Sequence, residues 1–312
     1  DSALTELKKV TDETDETYAK FLKTMSHMAD VVGSTTSDLT KSAADWARLG
    51  YSIQEAGELA KNTSILMNVS EFENVDDATD TLISALQAFK KEGADVGSFS
   101  MEIIDKFNEV GNNYAISTSD LADSLTRSSA ALVAAGSTLE ESIALTTAAN
   151  TIIQDPESVG NALKVVSMRI RGVKTELEDA GEETDGLVTN TSKLNDQIMA
   201  LTASANGGKG IKIIDDSGAF RSPYEILLDI AKIWDKMDSM SQAGLLEKIA
   251  GKTRGSVVAA LLQSPDILEK SFESATNAAG SATNELNTYL DSIEGRISLF
   301  TNSSKDSPVS GR

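Results

Sequence analysis

Ser128-Ser129-Ala130-Ala131-Leu132-Val133-Ala134-Ala135-Gly136-Ser137-Thr138-Leu139-Glu140-Glu141 reads as the end of one helix and the start of the next. The Ala-rich run favours helix. Gly136 is a natural stop, because glycine accepts the left-handed conformation that closes a helix. Thr138 with Glu141 three residues later is a capping box, which satisfies two orphan backbone donors and opens the next helix. Asp155-Pro156 repeats the move, with Asp155 as N-cap and Pro156 at the first helical position. Thr118-Ser119-Asp120-Leu121 opens the helix upstream. The stretch from Thr118 to Val173 therefore predicts three helices joined by very short connections.

The same pattern occurs earlier. Thr36-Ser37-Asp38-Leu39 stands 82 positions before Thr118-Ser119-Asp120-Leu121, and Gly50-Tyr51-Ser52-Ile53-Gln54-Glu55 stands 86 before Gly136–Glu141. The offset grows by about four residues, close to one helical turn, so a turn can be added without rotating the buried face. The pair reads as a degenerate internal duplication. Chance similarity in an Ala-, Ser- and Thr-rich chain is the alternative.

Composition supports an all-α fold. Of 312 residues, 40% are hydrophobic and only 5% aromatic. That aliphatic vocabulary suits helices better than a β-sandwich. Four prolines leave room for long helices. The formal net charge of −20 argues against direct nucleic-acid binding and against an anionic membrane surface, and it favours solubility. The absence of cysteine removes disulfides, thiolate nucleophiles and cysteine-based metal sites together. No apolar run is long enough to span a bilayer. The chain opens Asp1-Ser2-Ala3, without an initiator Met or a signal peptide, and reads as a piece of a longer protein.

Taken in order, residues 1–33 predict one N-terminal amphipathic, coiled-coil-like helix. Leu4, Leu7, Val10, Tyr18 and Phe21 are its candidate self-association face, and Gly33 is its stop. Residues 34–174 form the duplicated core, in units of about 34–92 and 117–174, with a linking helix over Met101–Val110. The clearest stripe is Val75, Ala78, Thr79, Leu82, Ile83, Leu86 and Phe89. Residues 175–209, acidic and Gly-rich, read as an exposed excursion with one helix near Leu194–Thr202. Residues 210–221 carry the one β signal, a short hairpin turning at Asp215-Asp216-Ser217-Gly218. Residues 222–300 are a C-terminal helical part. It opens with Ser222, Pro223 and Glu225, three start signals at once, and closes with a long helix from Pro265 to Phe300. Residues 301–312 read as a frayed tail.

Candidate chemistry is scarce. His27 is the only histidine, which leaves too few residues for zinc sites or for a Ser/His or Cys/His nucleophile. Gly251-Lys252-Thr253 ends like a phosphate loop, but Leu246 stands where that motif needs glycine, and a helix precedes it where the motif needs a strand. Gly208-Lys209 fails as well, because Gly210 follows where the motif needs Ser or Thr and Ala203 stands where it needs glycine. The acidic run at 176–185 reads as a solvated face, and Asp215–Gly218 lacks the ligand pattern of a calcium loop. No catalytic residue, no cofactor and no metal is expected, and the chain does not read as an enzyme. The structural junctions are Gly50, Ser52, Glu55, Gly136, Thr138, Glu141, Ser222, Pro223, Glu225 and Gly251.

An ordered series of segments carries a family resemblance. These are Ala44-Asp45-Trp46-Ala47-Arg48-Leu49-Gly50-Tyr51-Ser52, Asp76-Asp77-Ala78-Thr79-Asp80-Thr81-Leu82, Ser128-Ser129-Ala130-Ala131, Gly210-Ile211-Lys212-Ile213, and Ile249-Ala250-Gly251-Lys252-Thr253-Arg254-Gly255. Over roughly residues 30 to 300 the chain resembles the core region of the tape measure proteins of long-tailed bacteriophages and prophages. The resemblance implies a structural tail protein that sets tail length during assembly, occupies the tube lumen and is released during genome ejection. It implies side-by-side copies as a homo-oligomer. It also implies tail tube, tail assembly chaperone and baseplate or tail-tip partners, and a place in the virion after assembly in the bacterial cytoplasm. The competing reading is a non-enzymatic extracellular or surface helical binding module.

Overall fold

Helix caps written in the sequence place most of the helix ends. A computed structural model describes residues 2–90 and 92–292, with Arg296, Ile297, Leu299 and Thr301; the tail from residue 302 lies outside them. The described chain is 73% helical, with 16 helices and no strand. In order these begin α1 Ser2–Val10, α2 Asp15–Val32, α3 Thr36–Arg48, α4 Ile53–Asn68, α5 Val75–Phe89, α6 Val96–Asn113, α7 Thr118–Ala134, α8 Leu139–Ile153 and α9 Pro156–Arg171. There follow α10 Lys174–Asp179, α11 Thr191–Ala203, α12 Pro223–Ala231, α13 Ser239–Ala250, α14 Gly255–Leu262, α15 Pro265–Thr276 and α16 Ser281–Asp291.

The duplication has a three-dimensional counterpart. Thr35 caps α3 by accepting from the Asp38 amide, and Ser117 caps α7 by accepting from that of Asp120. Both helices end at a left-handed glycine, Gly50 at φ +91° and Gly136 at φ +90°. No atom lies within 4 Å of where a Cβ would stand on either, so glycine is required there by conformation and not by space. Capping boxes Ser52/Glu55 and Thr138/Glu141 then open α4 and α8. Asn74 and Asp155 cap the third helices, α5 and α9. Helix α7 has 17 residues where α3 has 13, so the four-residue growth in offset is one extra turn inside that helix.

The chain divides into two compact units. Unit 1 takes residues up to Glu109 and those from Ala278 onward; unit 2 runs from Val110 to Asn277. One three-helix repeat lies in each. In unit 1 the indole of Trp46, fully buried, donates to Thr63 Oγ1 at 3.2 Å, joining α3 to α4. The Asn62 amide bridges α4 to α6 through Gly97 O at 3.1 Å and Ser100 Oγ at 2.7 Å. In unit 2, α8 is the central helix. Every residue from Ser142 to Asn150 is buried, as expected of a helix covered on all sides, and α7, α9, α12, α14 and α15 pack around it. Helices α7 and α9 approach closely because Gly160 faces Ser124; a Cβ on Gly160 would stand 2.5 Å from Ser124 O.

Four expectations need correction. The N-terminal helix is two helices. The Tyr18 hydroxyl donates to Thr11 O at 3.1 Å and accepts from the Glu13 amide at 3.3 Å. Thr14 then restarts the helix as N-cap. The helix from Pro265 to Phe300 also breaks, at Gly280, φ +85°. There Asp105 accepts from the amides of Gly280 and Ala282 at 2.8 and 2.9 Å. The hairpin at 210–221 reverses as expected but closes with a single antiparallel bridge, Ile214 to Phe220. Across the turn the Asp215 amide donates to Ala219 O at 2.8 Å and the Arg221 amide to Ile213 O at 3.0 Å, while the Ile211 and Ile213 amides turn to helix α11, donating to Thr202 Oγ1 at 2.8 Å and Asn195 Oδ1 at 3.0 Å. Lastly, the excursion at 175–209 is only partly exposed. Leu177, Leu194 and Ile198 are buried, and α10 and α11 pack on α9 and α13.

Substituting Gly50 or Gly136 by Ala forces a left-handed Cβ and is expected to destabilise its own unit by about 1 kcal/mol. Urea unfolding followed by circular dichroism checks this; an unchanged midpoint for both variants contradicts the conformational account.

Candidate functional site

The residues that make the junctions are brought together unevenly. In unit 1, Gly50, Ser52 and Glu55 form a self-contained joint. Ser52 donates to Glu55 Oε2 from its amide at 2.9 Å and from its hydroxyl at 2.7 Å. Glu55 is exposed, and these hydrogen bonds from Ser52 hold its carboxyl below the usual range. In unit 2, two boxes are linked. The Thr138 amide donates to Glu141 Oε2 at 3.0 Å, and the Ser222 hydroxyl donates to Glu141 Oε1 at 3.0 Å. Ser222 also caps α12, donating from its amide to Glu225 Oε2 at 3.1 Å and accepting from the Glu225 amide at 3.2 Å. Pro223 takes the first position of that helix. One serine hydroxyl thus serves the N-termini of α8 and α12. Burial is the main cause of the raised carboxyl pKa of Glu141, with Glu225 and Glu140 adding repulsion.

Gly251 belongs to a second cluster, centred on a residue that sequence reasoning passed over. Arg169 on α9 is fully buried. Its guanidinium donates only to backbone carbonyls: Lys248 at 3.1 Å, Glu183 at 3.0 Å, Asp185 at 2.9 Å and Glu247 at 3.1 Å. Burial lowers its pKa, while the carboxylates of Glu183, Glu247 and Asp185 oppose that shift; a guanidinium keeps its proton regardless. Gly251 sits at φ +68°, which favours glycine, and a Cβ there would press on Arg169 Nη1 at 3.2 Å. The neighbouring bases then pair with the acidic run. Lys252 Nζ lies 3.0 Å from Asp185 and 3.8 Å from Glu183. Arg254 reaches Glu182 at 3.1 Å, and Lys164 reaches the same carboxylate at 3.6 Å. The acids at 182–185 are therefore a strap across α9 and α13 and not simply a solvated face. The available signal was an arginine falling on the apolar stripe of Ala162, Val166 and Ile170.

The N-terminal positions are turned inward. Leu7, Tyr18 and Phe21 are buried, and Leu4 and Val10 are half-buried. Helix α1 packs on α3, and α2 packs on α3 and α4, so most of this stripe serves the core of unit 1. His27 is exposed on α2. Among the described residues no group of His, Asp and Glu could hold a metal ion, and no helix is long and apolar enough to cross a membrane.

These joints and straps fasten helices to one another; what they define is an all-helical protein built on a repeated three-helix unit. Residues 6–251 match the phage-related minor tail protein family, and the chain belongs to it. The matched span holds both three-helix repeats, the Arg169 strap and Gly251. No solved structure matches the chain.

Replacing Arg169 by Met leaves its carbonyl partners without their buried donor. Unit 2 is expected to lose about 3 kcal/mol or more, and a glutamate-specific protease is expected to cut at Glu182 or Glu183 much faster than in the parent. Unchanged cleavage would show that Arg169 does not hold the strap.

The capping-box glutamates of the two repeats have pKa values shifted in opposite directions. The folded pKa of Glu55 is lowered, so its contribution is present above its unfolded pKa and is lost as pH falls through the folded value. The folded pKa of Glu141 is raised, so its contribution is largest below its unfolded pKa and is lost as pH rises through the folded value. Carboxyl carbon NMR shifts followed against pH should show Glu141 protonating first on acidification; the reverse order contradicts burial as the dominant influence on Glu141.

Proposed function

We propose that the chain is the core segment of a phage tape measure protein, with a structural and non-enzymatic role. In this reading it sets tail length during assembly, occupies the lumen of the tail tube in side-by-side copies, and leaves when the genome is ejected. Tube subunits, assembly chaperones and tail-tip proteins are its partners. The observation that carries the reading is a tandem three-helix repeat lying inside the span that matches a phage tail family. A ruler needs length proportional to sequence, and helix supplies about 1.5 Å per residue. Repetition of a helical unit is a direct way to lengthen such a chain, and the extra turn in α7 shows that residues can be added without disturbing a joint. The net charge of −20 keeps copies apart until a tube encloses them.

The test duplicates residues 118–174 in frame within the parent gene and measures tail lengths by electron microscopy. Tails are expected to lengthen by up to about 1.5 Å for each added residue. Infectious particles with tails of unchanged length would overturn the ruler role for this segment and favour a folded binding module.

A further inference from the structure

Unit 1 carries an open groove of about 480 Å³ between α2 and α4. Phe21, Met25 and Ile53, core residues of unit 1, form its buried apolar floor, and half-buried Met28 stands at its edge. Gly57 on α4 makes room for that lining: a Cβ there would stand 2.9 Å from Met25 Cε and 3.1 Å from Phe21 Cε2. Val31, three residues beyond Met28 on the same helix, is 48% exposed and prolongs the apolar strip. From Thr17 to Val31 the strip runs about 21 Å at 1.5 Å per residue, the length of a four-turn helix. Thioether side chains adapt their shape to an incoming apolar surface.

Two of the three charged residues of the lining are lysines. Lys20 and Lys61 flank the lining in a chain of formal charge −20. Lys20 meets Glu16 at 2.7 Å, but both side chains are about three-quarters exposed, so that pair is weak and easily exchanged. The one acid of the lining, Glu58, turns its carboxylate toward Gly97 at the start of α6.

We infer that this groove docks an amphipathic α-helix of a partner protein. The partner's apolar anchors, spaced three and four residues apart, enter between Phe21 and Ile53, and its flanking Asp or Glu side chains pair with Lys20 and Lys61. This is the helix-in-groove mode of recognition, with affinity from the apolar anchors and orientation from the charged rim. The inference rests on unit 1 alone and stands whether or not the chain is a ruler.

The experiment titrates the intact chain into three labelled helical peptides of about 16 residues, the length of the strip. One carries Leu anchors flanked by Glu, the second the same anchors flanked by Lys, the third Ala anchors flanked by Glu. Fluorescence anisotropy is expected to show saturable binding of the first, at least about tenfold weaker binding of the second, and none of the third. Lys20→Glu with Lys61→Glu is expected to reverse the preference between the first two, while the circular dichroism spectrum stays that of the parent. Met28→Glu is expected to abolish binding of the first peptide. Equal binding of the Glu and Lys peptides, absence of any binding, or no reversal in the double variant overturns the proposal. So does a sedimentation experiment in which the chain dimerises and Met28→Glu breaks the dimer, because a second copy then fills the groove.

Discussion

Every helix end leaves backbone groups without an intrahelical partner, and a fold made of many short helices multiplies that cost. The whole structure depends on meeting it locally. Side chains of Thr14, Thr35, Ser52, Asn74, Ser117, Thr138, Asp155, Asn190, Ser222 and Asp238 each accept from an amide of the first helical turn. Left-handed glycines close several of the other ends. With the ends satisfied in place, the helices can turn back on one another through connections of a few residues. The apolar stripes then decide only which faces meet.

That division explains what could be read from the sequence. A cap and its partner stand three residues apart, so the joints at Gly50, Gly136 and Ser222 are legible as written. Pairings between distant residues are not. The Ser222 hydroxyl meets a carboxylate 81 positions away, and two of the carbonyls around Arg169 lie 78 and 79 positions away. Tyr18 looked like one more apolar residue on a stripe, yet its hydroxyl organises the break before α2. Alternation in Ile211–Ile214 reports an extended segment with one buried face and not what it pairs with; here α11 takes the Ile211 and Ile213 donors.

The two repeats show how one joint is adapted to two surroundings. The residue four before the turn glycine is Trp46 in one and Leu132 in the other, both fully buried. Where Trp46 finds Thr63 across the helix pair, the position corresponding to Thr63 is Ala149, which shares an apolar cluster with Leu132. A polar contact has been exchanged for an apolar one, and the backbone path is kept. The box glutamate differs as well. Glu55 is exposed and Glu141 is half-buried, so the same motif carries a lowered pKa in one copy and a raised one in the other.

Unit 1 is drawn from both sides of unit 2, since the first boundary falls inside α6 between Glu109 and Val110 and the chain returns at Ala278. This sets an order of events on the ribosome. Unit 2 is a continuous segment and can fold as soon as Asn277 emerges. Unit 1 is not complete then, because α16 supplies Tyr289 and Leu290 beside Gly33 and Asn68 at the end of α4. At roughly 5–20 residues per second, translation of the intervening segment leaves that end of unit 1 uncovered for on the order of ten to thirty seconds. The part of the chain made first is thus the part completed last.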